Sequence, residues 1–227
     1  MYVVYSDKQL QDYSYIIGLD LALYHTGISV YKIDEEKFVE YEEILFNPTD
    51  KEKQQTPVSI LYFNLMKEKL EYYKNKFPNS FLVKEQQPLQ CGFKSTISTL
   101  MGLNMAHTII SILCYNLSID EYDDKGIHSI SVKALHKTDG VLKPTKIDIM
   151  NDICREYDID NKTLTDNISD SMAVVDCLIK KTWNAKIQEQ NKELKKHLKT
   201  LTRESSKEEL KIKIEKNNKK LLTNTSK

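Results

Sequence analysis

The sequence is short of several things. It has four cysteines in 227 residues, Cys91, Cys114, Cys154 and Cys177, and no two of them form a C-x-x-C pair. Neither a zinc site nor a disulfide framework is expected, and all four read as ordinary buried thiols. Only six glycines occur, too few for a glycine-rich adenosine-binding segment, so no nucleotide cofactor is expected. No stretch approaches the roughly 18–20 consecutive apolar residues of a membrane span, and the start, Met1 to Asp12, lacks the apolar core of a signal peptide. The expectation is a soluble, cytoplasmic protein with no membrane partner. Net charge is also missing, since 33 Lys+Arg balance 33 Asp+Glu.

That balance conceals an asymmetry. Residues 183–227 hold thirteen Lys/Arg against six Glu, a net +7, which leaves residues 1–182 at −7. The division suggests a body over residues 1–182 and a basic, partly helical or disordered C-terminal tail over residues 183–227. An acidic body beside a basic tail fits a nucleic-acid enzyme that gathers carboxylates where divalent cations neutralise them. A simply solvated surface fits as well. In the tail, Ile187, Leu194 and Leu201 fall seven apart with Leu198 between, but Ser205-Ser206 interrupts the pattern short of a sustained coiled coil.

The body opens with three β-rich runs, Tyr15–Leu21, Gly27–Ile33 and Phe38–Phe46, joined by short polar breaks that imply an antiparallel meander. Val58–Lys76 has helical spacing and stops at Phe77-Pro78. The short apolar run Phe81–Val83 then reads as a buried strand parallel to a neighbour. A helix is expected from Ser95 or Thr99 to Asn116, a strand over Ile127–Val132, a helix near Thr145–Tyr157 and a last body helix starting near Thr165–Asn167. The expectation is an α/β fold: a mixed five-stranded sheet, three antiparallel then parallel strands, flanked by helices.

Chemistry points to the carboxylates. Asp20 lies inside the apolar strand Ile16-Ile17-Gly18-Leu19-Asp20-Leu21, where it needs a cation or hydrogen-bond donors. Glu85 ends the Phe81–Val83 strand, and ligand sites of open α/β sheets lie at such carboxyl ends. Asp166, Asn167 and Asp170 share one face at the start of the last body helix. Carboxylates converging from separate elements make a hard oxygen site suited to Mg²⁺ or Mn²⁺. Two such ions can activate water and stabilise the leaving oxygen in phosphodiester hydrolysis. Asp166 as a plain helix cap and Glu85 as a surface charge are the bland alternatives.

An ordered set of segments carries a resemblance: Ile17-Gly18-Leu19-Asp20 with Thr26-Gly27-Ile28, Val83-Lys84-Glu85-Gln86, Leu100-Met101-Gly102-Leu103, Ser131-Val132-Lys133, Lys146, and Asp166-Asn167-Ile168-Ser169-Asp170-Ser171-Met172-Ala173. The chain resembles the RuvC-type Holliday junction resolvases of the RNase H-like superfamily, in their compact bacteriophage form. The resemblance implies an RNase H-like fold and a homodimer that cuts four-way DNA junctions at paired positions. It implies Asp20, Glu85 and Asp170 as metal-binding catalytic carboxylates around two Mg²⁺ ions, with Mn²⁺ as a substitute.

Where the family usually has Asp or His, three residues before the last Asp, this chain has Asn167. Either Asp166 supplies the fourth ligand or Asn167 ligates through its amide oxygen. By the same resemblance Lys133 and Lys146 approach the scissile phosphates. Phe93 is a candidate for stacking on an unpaired base, or else a core residue. The resemblance leaves two neighbouring readings open: a nuclease that debranches flaps and Y-forks as readily as junctions, and a branched-DNA-binding protein that does not cut. An actin-like ATPase needs two copies of the fold, which 227 residues do not hold.

Overall fold

The computed structural model describes residues 10–86, 96–122, 127, 129–136, 144–200 and 204–225. Phe93, Cys91 and the turn at residues 138–140 lie outside them. The three opening runs form the strands β1 (Tyr15–Asp20), β2 (His25–Lys32) and β3 (Lys37–Leu45), paired as an antiparallel meander. A capping box between Thr49 and Glu52 starts α1 (Asp50–Gln55), a wholly exposed turn and a half that apolar periodicity does not announce. Then follow α2 (Val58–Lys76), β4 (Ser80–Lys84), α3 (Ile97–Leu117), β5 (Asp120–Glu121), α4 (Ser129–Leu135), α5 (Lys146–Tyr157), α6 (Asp166–Thr200) and α7 (Glu204–Thr225). The sheet order is β3-β2-β1-β4-β5, with β4 parallel to β1 and β5 parallel to β4. The crossover through α2 is what allows that parallel pairing.

One expected strand is not formed. Residues 129–135 are helix α4 rather than part of a strand over Ile127–Val132, and the fifth strand is the short Asp120–Glu121. Of the expected strand only Ile127 touches the sheet, through a single parallel bridge to Glu85. Val132 is buried and Leu135 partly buried in the layer made with α5 and α6, three residues apart as on a helix face. That packing outweighs the β-branched composition of the segment.

Strand alternation divides the core in two. Ile17, Leu19, Leu21, Ile28, Val30, Ile44 and Leu82 point to the side covered by α2 and α3. Ile16, Tyr31, Phe81 and Val83 point to the side covered by α5 and α6. The second side has small residues where α6 crosses the sheet: a Cβ at Gly18 would overlap Val175, and one at Gly27 would overlap the Asn167 backbone carbonyl. Glycine at these two positions is therefore a requirement of close helix–sheet approach.

Helix α3 is long and apolar enough by composition to cross a membrane, yet Ala106, His107, Ile109, Ile110, Leu113 and Cys114 are buried against the rest of the fold. Its other face exposes Ile97, Met101, Ile112 and Tyr115. Cys114 and Cys177 are buried free thiols, and Cys154 is partly buried. Helix α6 runs without a break past residue 182, and α7 folds back along its far half. The tail is helical in both of its described segments, and the two helices pack on each other.

Candidate active site

The carboxylates meet through sheet register. Asp20, the last residue of β1, pairs with Gly27, and Gly27 pairs with Glu43. On the other flank Leu19 pairs with Lys84, so Asp20 at the end of β1 lies beside Glu85, the residue that follows β4. Residues paired across strands share a face, here the α6 face. The first turns of α6 lie over Gly27, and Asp170 comes down beside Asp20 and Glu85.

The electrostatics record that convergence. Burial, then the charges of Asp170 and Glu85, push the Asp20 carboxyl up to about 7, against a smaller opposing pull from Lys146. Glu85 is also raised, by burial and by Asp170, while Lys133, a hydrogen bond from Ser129 and Lys146 act the other way. Lys146 Nζ donates to Asp170 Oδ2 at 2.7 Å. Burial opposes the lysine's charge, but its hydrogen bond with Asp170 and the negative charges of Asp170, Asp20 and Asp166 outweigh that and hold it above its ordinary range. Lys133 is exposed on α4, and Lys146 is the first residue of α5, behind a capping box of Thr145 and Asp148.

The structure therefore brings together Asp20, Glu85, Asp170, Lys133 and Lys146. Asp166 is exposed at the start of α6, beside Lys146 rather than under the helix. Asn167 is turned toward β3, where its Nδ2 donates to Glu43 Oε1 at 2.7 Å. Glu43 also pairs with His25 Nδ1 at 2.9 Å, and the hydrogen bonds from His25 and Asn167, outweighing burial, hold its carboxyl below the ordinary range. Sequence reasoning missed Glu43 and Ser129. Glu43 had a legible signal, since it sits on the Gly27 row of the meander, but the acidic run Glu40, Glu42, Glu43 reads as a solvated edge.

Do these residues fit divalent metal? The donors are all oxygen, and their mutual repulsion and burial are what a divalent cation would relieve. Among the described residues no three His, Cys, Asp or Glu side chains lie close enough together to hold a metal ion as they stand, and Lys146 is the counter-cation of Asp170. Asp20, Glu85 and Asp170 would hold such an ion only if Lys146 released Asp170.

No family model and no curated protein sequence matches the chain. Solved structures do. Thermus thermophilus RuvC in complex with a Holliday junction substrate is similar at 13% identity and a TM-score of 0.54, covering 74% of this chain and 94% of that one. T. thermophilus RuvC alone is similar at 14% identity with the same TM-score and coverage. The fold is that of RuvC. Nearly all of that RuvC chain has a counterpart here, while about a quarter of the present chain lies outside the RuvC match.

Proposed function

We propose that the chain is a divalent-metal-dependent endodeoxyribonuclease that resolves four-way DNA junctions by paired phosphodiester hydrolysis. The observation that carries this reading is the row of carboxylates from β1, β4 and α6 at the carboxyl ends of the strands, flanked by two lysines, within the RuvC fold. Asp20, Glu85 and Asp170 would hold Mg²⁺ or Mn²⁺, two ions per site, with a further oxygen from Asp166 or Asn167. When bound, the metal supplies activation of water and charge stabilisation at the leaving oxygen. The chain's own groups do the rest. Lys146, freed from Asp170, and Lys133 neutralise phosphate oxygens entering between α4 and α5. Partial burial of Asp20 beside α6 limits its contact with bulk water, which strengthens the charge interactions there.

A junction has two equivalent strands to cut, and a twofold homodimer presents two such sites. The exposed residues of α3 suit that interface: Ile97, Met101, Ile112 and Tyr115 fall within about 60° of one another around the helix axis. An apolar stripe rimmed by polar residues is what a second copy would cover.

The test is end-labelled cleavage of a four-way junction beside a Y-fork, a flap and linear duplex, in Mg²⁺ and in EDTA, for wild type and Asp20→Asn. Paired symmetric nicks in the junction alone, lost in EDTA and in the variant, are the expected result. Equal cutting of every branched substrate would make the protein a general debranching nuclease. Binding with no cut in any condition would overturn the catalytic reading.

A further inference from the structure

The positive charge of the chain is concentrated on a part of the molecule that the site does not use. Helix α6 is 35 residues long, with Asp170 in its second turn and Lys192, Lys195 and Lys196 on one stripe near its other end. The stripe follows from spacing, since residues three, four and seven apart share a helix face. Helix α7 returns antiparallel to it. Ile187 and Ile214 are buried in the seam, Leu194 and Leu210 partly buried. Asn191 is buried among them, its Nδ2 donating to Asn218 Oδ1 at 3.0 Å and its Oδ1 accepting from Asn217 Nδ2 at 2.9 Å.

That buried asparagine matters for what the hairpin can do. A polar group satisfied inside a two-helix seam favours one register, here the one that sets Asn191 against Asn217 and Asn218. Among its described residues the only large apolar side chain exposed is Ile212, so they present no apolar face to a further helix. What it does expose is charge, with lysines outnumbering Glu189, Glu193, Glu208 and Glu215 among the described residues. Lys192, Lys195, Lys196, Lys213 and Lys216 are exposed and have no carboxylate partner among the described residues, whereas Lys211 pairs with Glu208 at 3.5 Å.

We infer that the α6–α7 hairpin is a second DNA-binding surface, which grips the phosphates of a duplex arm away from the carboxylate cluster. The inference rests on the branched-DNA reading and extends it. A run of unpartnered lysines on a preformed scaffold suits a polyanion of regular charge spacing, and gives affinity without sequence preference. Distance follows from the helix. Lys192 to Lys196 lie 22–26 residues beyond Asp170, about 33–39 Å along the axis at 1.5 Å per residue. Duplex advances 3.4 Å per base pair, so the arm is held about 10–11 base pairs from the cluster. Because α6 is continuous, the same helix fixes the cluster and the grip.

The test compares the full chain with a variant in which Lys192, Lys195, Lys196, Lys213 and Lys216 are all replaced by Gln, a residue of similar helix propensity; circular dichroism checks that helicity is kept. Binding to four-way junctions with arms of about 8 and about 20 base pairs is measured in EDTA over a range of salt, where each lost phosphate contact lowers the log–log salt slope by about 0.9. The expected result is that wild type favours the long arms at least about tenfold and that the variant loses this preference, with a slope lower by about 2–4. Short-arm affinity and the position of cleavage stay unchanged. Equal slopes and equal arm-length dependence in both proteins would overturn the inference and leave the site reading intact. A change of oligomeric state in the variant with DNA affinity unaltered would overturn it in favour of contact between copies. No binding of wild type to any junction would overturn both readings.

Discussion

The two faces of the sheet are built from the same strands and do opposite work. Toward α2 and α3 the alternating positions carry Ile17, Leu19, Ile28, Val30 and Leu82, fully buried and apolar. The one charged intrusion from β4, Lys84, is neutralised by an ion pair with Glu121 and a hydrogen bond to Ser111 Oγ at 2.7 Å. Toward α6 the next positions along are Gly18, Asp20, Gly27 and Glu85, small or acidic. There the repulsion between Asp20, Glu85 and Asp170 is only partly answered by Lys146 and Lys133. One face settles its charges internally, and the other keeps an excess that an outside cation and a phosphate are suited to meet. Neighbouring residues, Lys84 and Glu85, fall on opposite sides of that division.

Replacing a charge on each face separates the two. On the proposed reaction, Asp20→Asn should lower cleavage at least about 10³-fold. It does so without the stability loss expected for a core substitution. The sign follows from Asp20 itself: its carboxyl titrates near 7 in the folded chain against an ordinary 3.8. The folded state thus holds a proton that the unfolded state has released, and stability from this group falls as pH rises from about 4 to about 7. In EDTA, wild type melts lower at pH 8 than at pH 5 by more than Asp20→Asn does, which calorimetry at the two pH values checks.

Lys84→Met has the reverse signature. It strands Glu121, whose side chain is 8% exposed, and should cost about 3–5 kcal/mol in urea unfolding. Lys84→Met with Glu121→Leu restores most of that loss, because an apolar pair of similar volume needs no counter-charge. Recovery of less than half would show that the pair is not the buried unit described.

Gly27→Ala tests how closely α6 must approach. The added methyl overlaps the Asn167 carbonyl and should cost about 1–3 kcal/mol by displacing the start of α6, with cleavage falling alongside. A stable and fully active variant would contradict the packing.

The smallest expected effect concerns Glu43. Asn167→Asp sets two carboxylates against each other across the present 2.7 Å hydrogen bond and should destabilise by about 1 kcal/mol. Glu43→Gln in the same chain should relieve it. Additive effects in that double-mutant cycle would show that Glu43 and Asn167 are not coupled.

Much of this was legible in the sequence because the strands alternate. Ile17-Gly18-Leu19-Asp20 declares two faces and puts a carboxylate on one of them. The abrupt end of Phe81–Val83 marks where Glu85 leaves the sheet. The sequence could not show which helix face meets which strand, so Glu43 looked like one acid among several on a solvated edge. The buried group of His136, Asp152 and Asp176 was equally invisible: His136, just past α4, lies 3.6 Å from Asp152 of α5 and 3.7 Å from Asp176 of α6. Its three members are scattered over forty-one positions, from 136 to 176. The hairpin was missed for a different reason. Its heptad spacing is short because each helix needs only a few turns to pair with the other, and Ser205-Ser206 falls in the first turn of α7 rather than breaking one long helix.

On the α6 face Asp20, Glu85 and Asp170 repel one another, and a divalent cation would relieve that repulsion. The most direct measurement is the melting temperature of wild type and Asp20→Asn at pH 8 as Mg²⁺ is titrated in the absence of DNA. A cation that binds the folded chain raises its stability by mass action. Wild type should gain several degrees with a saturating midpoint while Asp20→Asn gains little. Equal gains in the two proteins, or none in wild type, would contradict the account.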